Sequence, residues 1–158
     1  MTEKHALAWT RTSRIIKAPP EKLYEAFMDP AALAAWLPPA EMTGKIHEFD
    51  ARVGGGYRMS LFYPPKERSF CGKTSDREDM VDVRFVELAP PRRIVEAVNF
   101  ATADPAFFGE MTIVVTFEEV SGGTEVTFLC RNLPPGLRAE DNEAGSRLSL
   151  EQLARRFE

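Results

Sequence analysis

Few side chains in this sequence have the type and spacing that covalent chemistry needs. The two histidines, His5 and His47, lie far apart, and the two cysteines, Cys71 and Cys130, form no CxxC pair. A zinc site needs three or four converging ligands. None can be assembled here, so neither a metal nor a cofactor is expected. A Ser-His-acid triad would have to recruit His47, yet His47 is expected on a solvent face, and no serine stands in a nucleophile elbow. Gly54-Gly55-Gly56 lacks the Lys-Ser/Thr of a phosphate loop and precedes a strand, not a helix. It is expected to permit a bulge or sharp bend, braced by Asp50 and Arg52. No catalytic residue is assigned. The most informative polar residue is Glu96, which shares an alternating row with Ile94, Val98 and Phe100. A carboxylate on an apolar row needs a partner, because burying an unpaired charge is costly. Arg14, on the row of Thr10, Thr12 and Ile16, is the candidate. Either the two anchor a ligand, or they satisfy each other or lie at a wet sheet edge.

The elements that must position these residues follow from periodicity. Residues 9–17 mix Trp, Thr and Ile and read as a strand, closed by Ala18-Pro19-Pro20. Proline suits the first turn of a helix. Residues 21–28 place Leu23, Ala26 and Phe27 on one helical face, and Asp29-Pro30 ends that helix. A second short helix, 31–37, carries Leu33 and Trp36 and stops at Pro38-Pro39. The period then becomes two. Strands are expected over 45–50, 57–63, 80–88, 93–100, 111–118 and 124–132, with a long mobile loop over 64–79. Tyr57, Met59, Leu61 and Tyr63 share one face; so do Met111, Ile113, Val115 and Phe117, and Val126, Phe128 and Cys130. A helix from 138 or 139 to 157 carries Leu150, Leu153, Ala154 and Phe157 as its apolar stripe. Strands segregated from helices signal an α+β fold, and short loops require antiparallel pairing.

The chain has 158 residues, 44% hydrophobic and 28% charged. That fits one soluble domain over 1–158, with 1–8 flexible, and a core that needs no staples. Net charge is −4, and no face concentrates Lys and Arg, so a nucleic-acid partner is not expected. The polar start has no signal-peptide pattern, and no run approaches the ~20 apolar residues that span a bilayer. A cytoplasmic protein with reduced thiols and no membrane insertion is expected. An exposed edge strand, or Trp9 on the outer face, would support a homodimer.

The ordered joints resemble the START-like helix-grip (SRPBCC) superfamily, in its bacterial branch related to the C-terminal domain of the heat shock protein 90 ATPase activator. Carrying the likeness are Arg14 before Ala18-Pro19, then Asp29-Pro30 and Trp36. Asp50-x-Arg52-x-Gly54-Gly55, Pro90-Pro91-x-Arg93-Ile94 and Gly123-Thr124 follow. Last comes Glu140-Asp141-Asn142-Glu143-Ala144-Gly145. The resemblance implies a curved antiparallel sheet of six to seven strands wrapped round a long C-terminal helix, with two short helices between the first two strands. Family members include lipid carriers, cyclase-like enzymes, sequestering proteins and co-chaperone domains, so the fold leaves function open.

A sheet curled round a helix bounds a space. Bulky rows face it: Tyr57, Met59, Leu61, Tyr63, Phe85, Val98, Met111, Ile113 and Phe128. The helix stripe runs from Leu150 back through Ser149, Ser146, Gly145 and Asn142, which are small or polar. Where the family pattern has Trp after the glycine, this chain has Ser146. A cavity beneath that half of the helix, roofed by Trp36 and the 64–79 loop and anchored by Arg14 and Glu96, would hold a small hydrophobic ligand. Otherwise loops or a partner fill the gap. Binding of an apolar or aromatic molecule is therefore the leading expectation. A co-chaperone-like interaction module and a cyclase- or hydrolase-like enzyme are the alternatives.

Overall fold

The computed structural model describes residues 8–39, 42–62, 78–101 and 104–157. Its strands are β1 (Thr10–Ile16), β2 (Thr43–Asp50), β3 (Gly56–Phe62), β4 (Glu78–Ala89), β5 (Arg93–Phe100), β6 (Met111–Val120) and β7 (Gly123–Arg131). They form one seven-stranded antiparallel sheet in the order β1-β7-β6-β5-β4-β3-β2, with β1 and β2 as edges. Helices α1 (Pro20–Met28) and α2 (Pro30–Trp36) connect the two edge strands, and α3 (Ala139–Arg155) follows β7. This is the expected α+β helix-grip architecture.

Local chemistry explains the joints. Pro20 opens α1, which buries Leu23, Tyr24, Ala26 and Phe27. The Phe27 ring meets Phe117 and Phe128 at centroid distances of 5.3 and 6.1 Å, so α1 packs on β6 and β7. Asp29 leaves α1 in an extended conformation, and its carboxylate accepts from the Ala31 and Ala32 amides. One Asp-Pro pair thus stops one helix and caps the next. Gly123 has φ 150°, and a Cβ there would lie 2.2 Å from the Ile16 carbonyl oxygen. The buried Thr124 hydroxyl donates to Ala18 O at 2.7 Å. The Gly-Thr pair therefore closes the start of β7 onto the end of β1.

The β2–β3 turn is braced as expected. The Arg52 guanidinium grips the Asp50 carboxylate at 2.9 and 3.0 Å. The Gly54 amide donates to Phe85 O and the Phe85 amide to Gly55 O, both at 2.9 Å, where β4 bulges between Phe85 and Glu87. His47 faces outward as alternation expects, with Nε2 2.7 Å from Ser60 Oγ, and a second bulge, in β2 between Ile46 and Glu48, leaves Glu48 exposed beside it.

Some boundaries differ. β4 begins at Glu78, inside the expected loop, and extends to Ala89. The rest of that loop, 64–77, lies outside the described residues, as do Tyr63, Cys71, His5 and the expected flexible start up to residue 7. Ala8 is held, its carbonyl accepting from the Leu133 amide at 3.1 Å. A short 3-10 turn, Pro105–Phe107, has no periodic signal in the sequence. It packs Phe107 on Phe100, with ring centroids 5.8 Å apart. Among the described residues, no helix is long and apolar enough to cross a membrane.

Candidate functional site

α3 covers the sheet unevenly. In its C-terminal half Leu150, Leu153 and Ala154 are at most 1% exposed. Three hydrogen bonds clasp this half to the end of α2. Ser149 Oγ donates to Leu37 O at 2.6 Å. The Gln152 side-chain amide donates to Trp36 O at 2.6 Å and Pro38 O at 2.8 Å. These carbonyls belong to the last turn of a helix and to the residues after it, where no intrahelical donor remains. In the N-terminal half, Asn142, Gly145 and Ser146 are half-buried. A Cβ built on Gly145 would meet no atom within 4 Å.

Beneath this half lies a pocket of about 290 Å³. β3 supplies Tyr57, Met59 and Leu61, and β5 supplies Glu96 and Val98. β6 gives Met111 and Ile113, β7 gives Phe128, and α3 gives Asn142, Ser146 and Ser149. Each was expected on the inner face. Large apolar side chains on the strands and short ones on the helix leave unfilled volume between two rigid elements.

Glu96 is the polar centre of this wall, and only 7% of it is exposed. It sits opposite Ile113 on β6, which sits opposite Cys130 on β7, which sits opposite Thr10 on β1. No hydrogen-bond or ion-pair partner reaches it among the described residues. Burial alone pushes its carboxyl up to about 7, because desolvation disfavours the ionised form. Burial raises the Tyr57 phenol too, and the Glu96 charge adds to it. The Cys130 thiol is raised chiefly by burial, against hydrogen bonds with Thr10, Ser146 and Asn142. The Thr10 hydroxyl donates to Asn142 Oδ1, joining β1 to the first turns of α3.

Four expected residues sit elsewhere. Arg14 does not meet Glu96: it pairs with Val126, while the β1 member of the Glu96 row is Thr10, roughly 13 Å away along the strand. Its Nε is buried without a hydrogen-bond partner among the described residues. Trp36 is core, not roof. It is 1% exposed, it donates Nε1–H to Ala26 O at 3.0 Å, and it packs on Phe27 with ring centroids 4.7 Å apart. Phe85 lies at the bulge, among Phe49 and Tyr57. Leu150 belongs to the packed half of α3. Tyr63 lies outside the described residues.

Other lining residues went unassigned. Val81, Phe100 and Cys130 continue rows already recognised, so the period-two signal was present for them. Leu33, Leu37 and Leu137 enter from helices and loops whose docking angle no local pattern encodes. Asp141 lines the pocket beside Asn142, and so does Gly145, which the expected helix stripe includes. No cluster of three or more metal-ligating side chains occurs among the described residues.

The whole architecture recurs in known structures. The crystal structure of protein CV1439 from Chromobacterium violaceum is 34% identical, with a TM-score of 0.82, covering 94% of this chain and 96% of that one. A Staphylococcus epidermidis protein solved by NMR is 22% identical, with a TM-score of 0.75, covering 99% and 93%. Protein Ms6760 from Mycobacterium smegmatis is 18% identical, with a TM-score of 0.72, covering 95% and 90%. The last two show the fold alone. No curated protein matches the chain. The model of one protein family, described as Activator of Hsp90 ATPase homolog 1-like protein, matches residues 17–158. The chain belongs to that family.

Proposed function

We propose that this protein binds one small, predominantly apolar molecule between the sheet and the N-terminal half of α3. The observation that carries this reading is the pocket of about 290 Å³, walled by Met, Leu, Val, Ile and aromatic side chains around one buried carboxyl that has no partner among the described residues. Small-molecule sites have this form: apolar walls, a few placed polar groups, and volumes from ~300 Å³ upward. An unfilled volume of this kind forfeits dispersion contacts, and a ligand would restore them.

Titration with a neutral fluorescent dye, N-phenyl-1-naphthylamine, tests it. The native protein is expected to saturate at one dye per chain. Ser146→Trp, which directs an indole into the pocket, is expected to abolish the signal while leaving the fold intact by circular dichroism. Equal dye affinity in the two proteins would place the binding elsewhere. The family match favours a second reading, a protein-interaction module acting on a chaperone ATPase. An unchanged chaperone ATPase rate on adding this protein would set that reading aside.

A further inference from the structure

We infer that the molecule held in this pocket is an amphipathic amine: a compact apolar body bearing one basic nitrogen, its ammonium paired with the Glu96 carboxylate. The inference rests on the pocket being a binding site and goes on to the class of ligand.

Three features converge on a cation. Glu96 is more than nine-tenths buried, lines the pocket and has no partner among the described residues. A buried carboxyl without a hydrogen bond is costly, and a partner supplied by the ligand removes that cost. Next, the titratable groups that line the pocket with Glu96 among the described residues are Tyr57 from β3, Cys130 from β7 and Asp141 from α3. β4, β6, α1 and α2 contribute apolar side chains only, and no Lys, Arg or His among the described residues lines the wall. Among the described residues, a ligand carboxylate or phosphate would therefore meet two carboxyl groups and no cation. Finally, the N-terminus of α3 does not reverse this field, because Glu140 and Asp141 in its first turn oppose the positive end of the helix dipole.

A neutral ligand would fill the volume and leave Glu96 unpaired. An ammonium also makes a charge-assisted hydrogen bond, the stronger kind. Its approach favours the ionised carboxyl and so offsets the effect of burial. Asp141, exposed at the rim, adds negative potential along the way in.

The test compares three probes of equal chain length: octylamine, octanol and octanoate, each below its micellar concentration, by calorimetric titration at about pH 8, where an alkylamine keeps its proton. The wild-type protein is expected to bind octylamine roughly tenfold more tightly than octanol, with octanoate weakest. Glu96→Gln is expected to bring amine and alcohol to the same affinity. Octanol or octanoate matching octylamine on the wild type overturns the inference without any variant. If octanol binds one to one but the amine gains nothing, this inference alone falls. If none of the three binds, the binding reading falls with it. An amine preference that persists in a folded Glu96→Gln protein also overturns it.

Discussion

Glu96 offers a prediction whose size follows from its surroundings. Its carboxyl titrates at about 7 in the folded protein against an ordinary value of 4.5, because burial disfavours the charged form. The folded state therefore holds the proton more tightly than the unfolded chain. Stability from this group is fully present below the unfolded value. It is lost progressively as pH rises, and the loss is complete once pH exceeds the folded value. Converted at about 1.4 kcal/mol per unit, the loss amounts to ~3 kcal/mol above about pH 8 and less than ~1 kcal/mol near pH 5. Glu96→Gln removes the titration and keeps the shape. The assay is urea denaturation of both proteins across that pH range, read as their difference, so that every other group cancels. Whatever Gln costs as a buried amide is constant with pH, so only the slope matters. The variant is expected to gain about 2.5 kcal/mol on the wild type between pH ~5 and ~8. A difference that stays flat with pH would refute the reasoning, since it would mean that the carboxyl is solvated or paired in the folded protein.

The same substitution at two threonines should have opposite signs. Thr124→Val deletes the bond to Ala18 O in a fully buried site and is expected to cost about 1–2 kcal/mol in chemical denaturation. Thr12→Val removes a buried hydroxyl that has no hydrogen-bond partner among the described residues and is expected to stabilise by up to about 1 kcal/mol. Gly145→Ala adds a methyl where nothing lies within 4 Å. It should raise stability by about 1 kcal/mol through helix propensity alone, and a loss would show that the space is occupied.

Much of the fold was legible because its signals are local. Period two in Met111–Val120 and Gly123–Arg131, and proline and Asp at helix starts, each act within a few residues. The row containing Glu96 was legible for the same reason. Its partner was not. Arg14 and Glu96 share an inward face, but strand register decides whether they meet, and register is set by contacts distant in sequence. The β1–β7 pairing puts Thr10, not Arg14, in line. Trp36 shows the other gap. Its spacing with Leu33 marks it as buried, but not on which side of the core, and that depends on α2 being clasped by Ser149 and Gln152, more than a hundred residues away. The bulge after Phe85 likewise inserts Val86, so that Glu87 leaves the row of Val81, Val83 and Phe85 that strict alternation would continue.

The central claim is that the space under the N-terminal half of α3 holds a small molecule. Native mass spectrometry of freshly purified protein tests it most directly. The account predicts a mass increment of one small molecule per chain, lost on denaturation and absent from Ser146→Trp. A ligand-free mass in the wild type that no added apolar amine or alcohol shifts would contradict it.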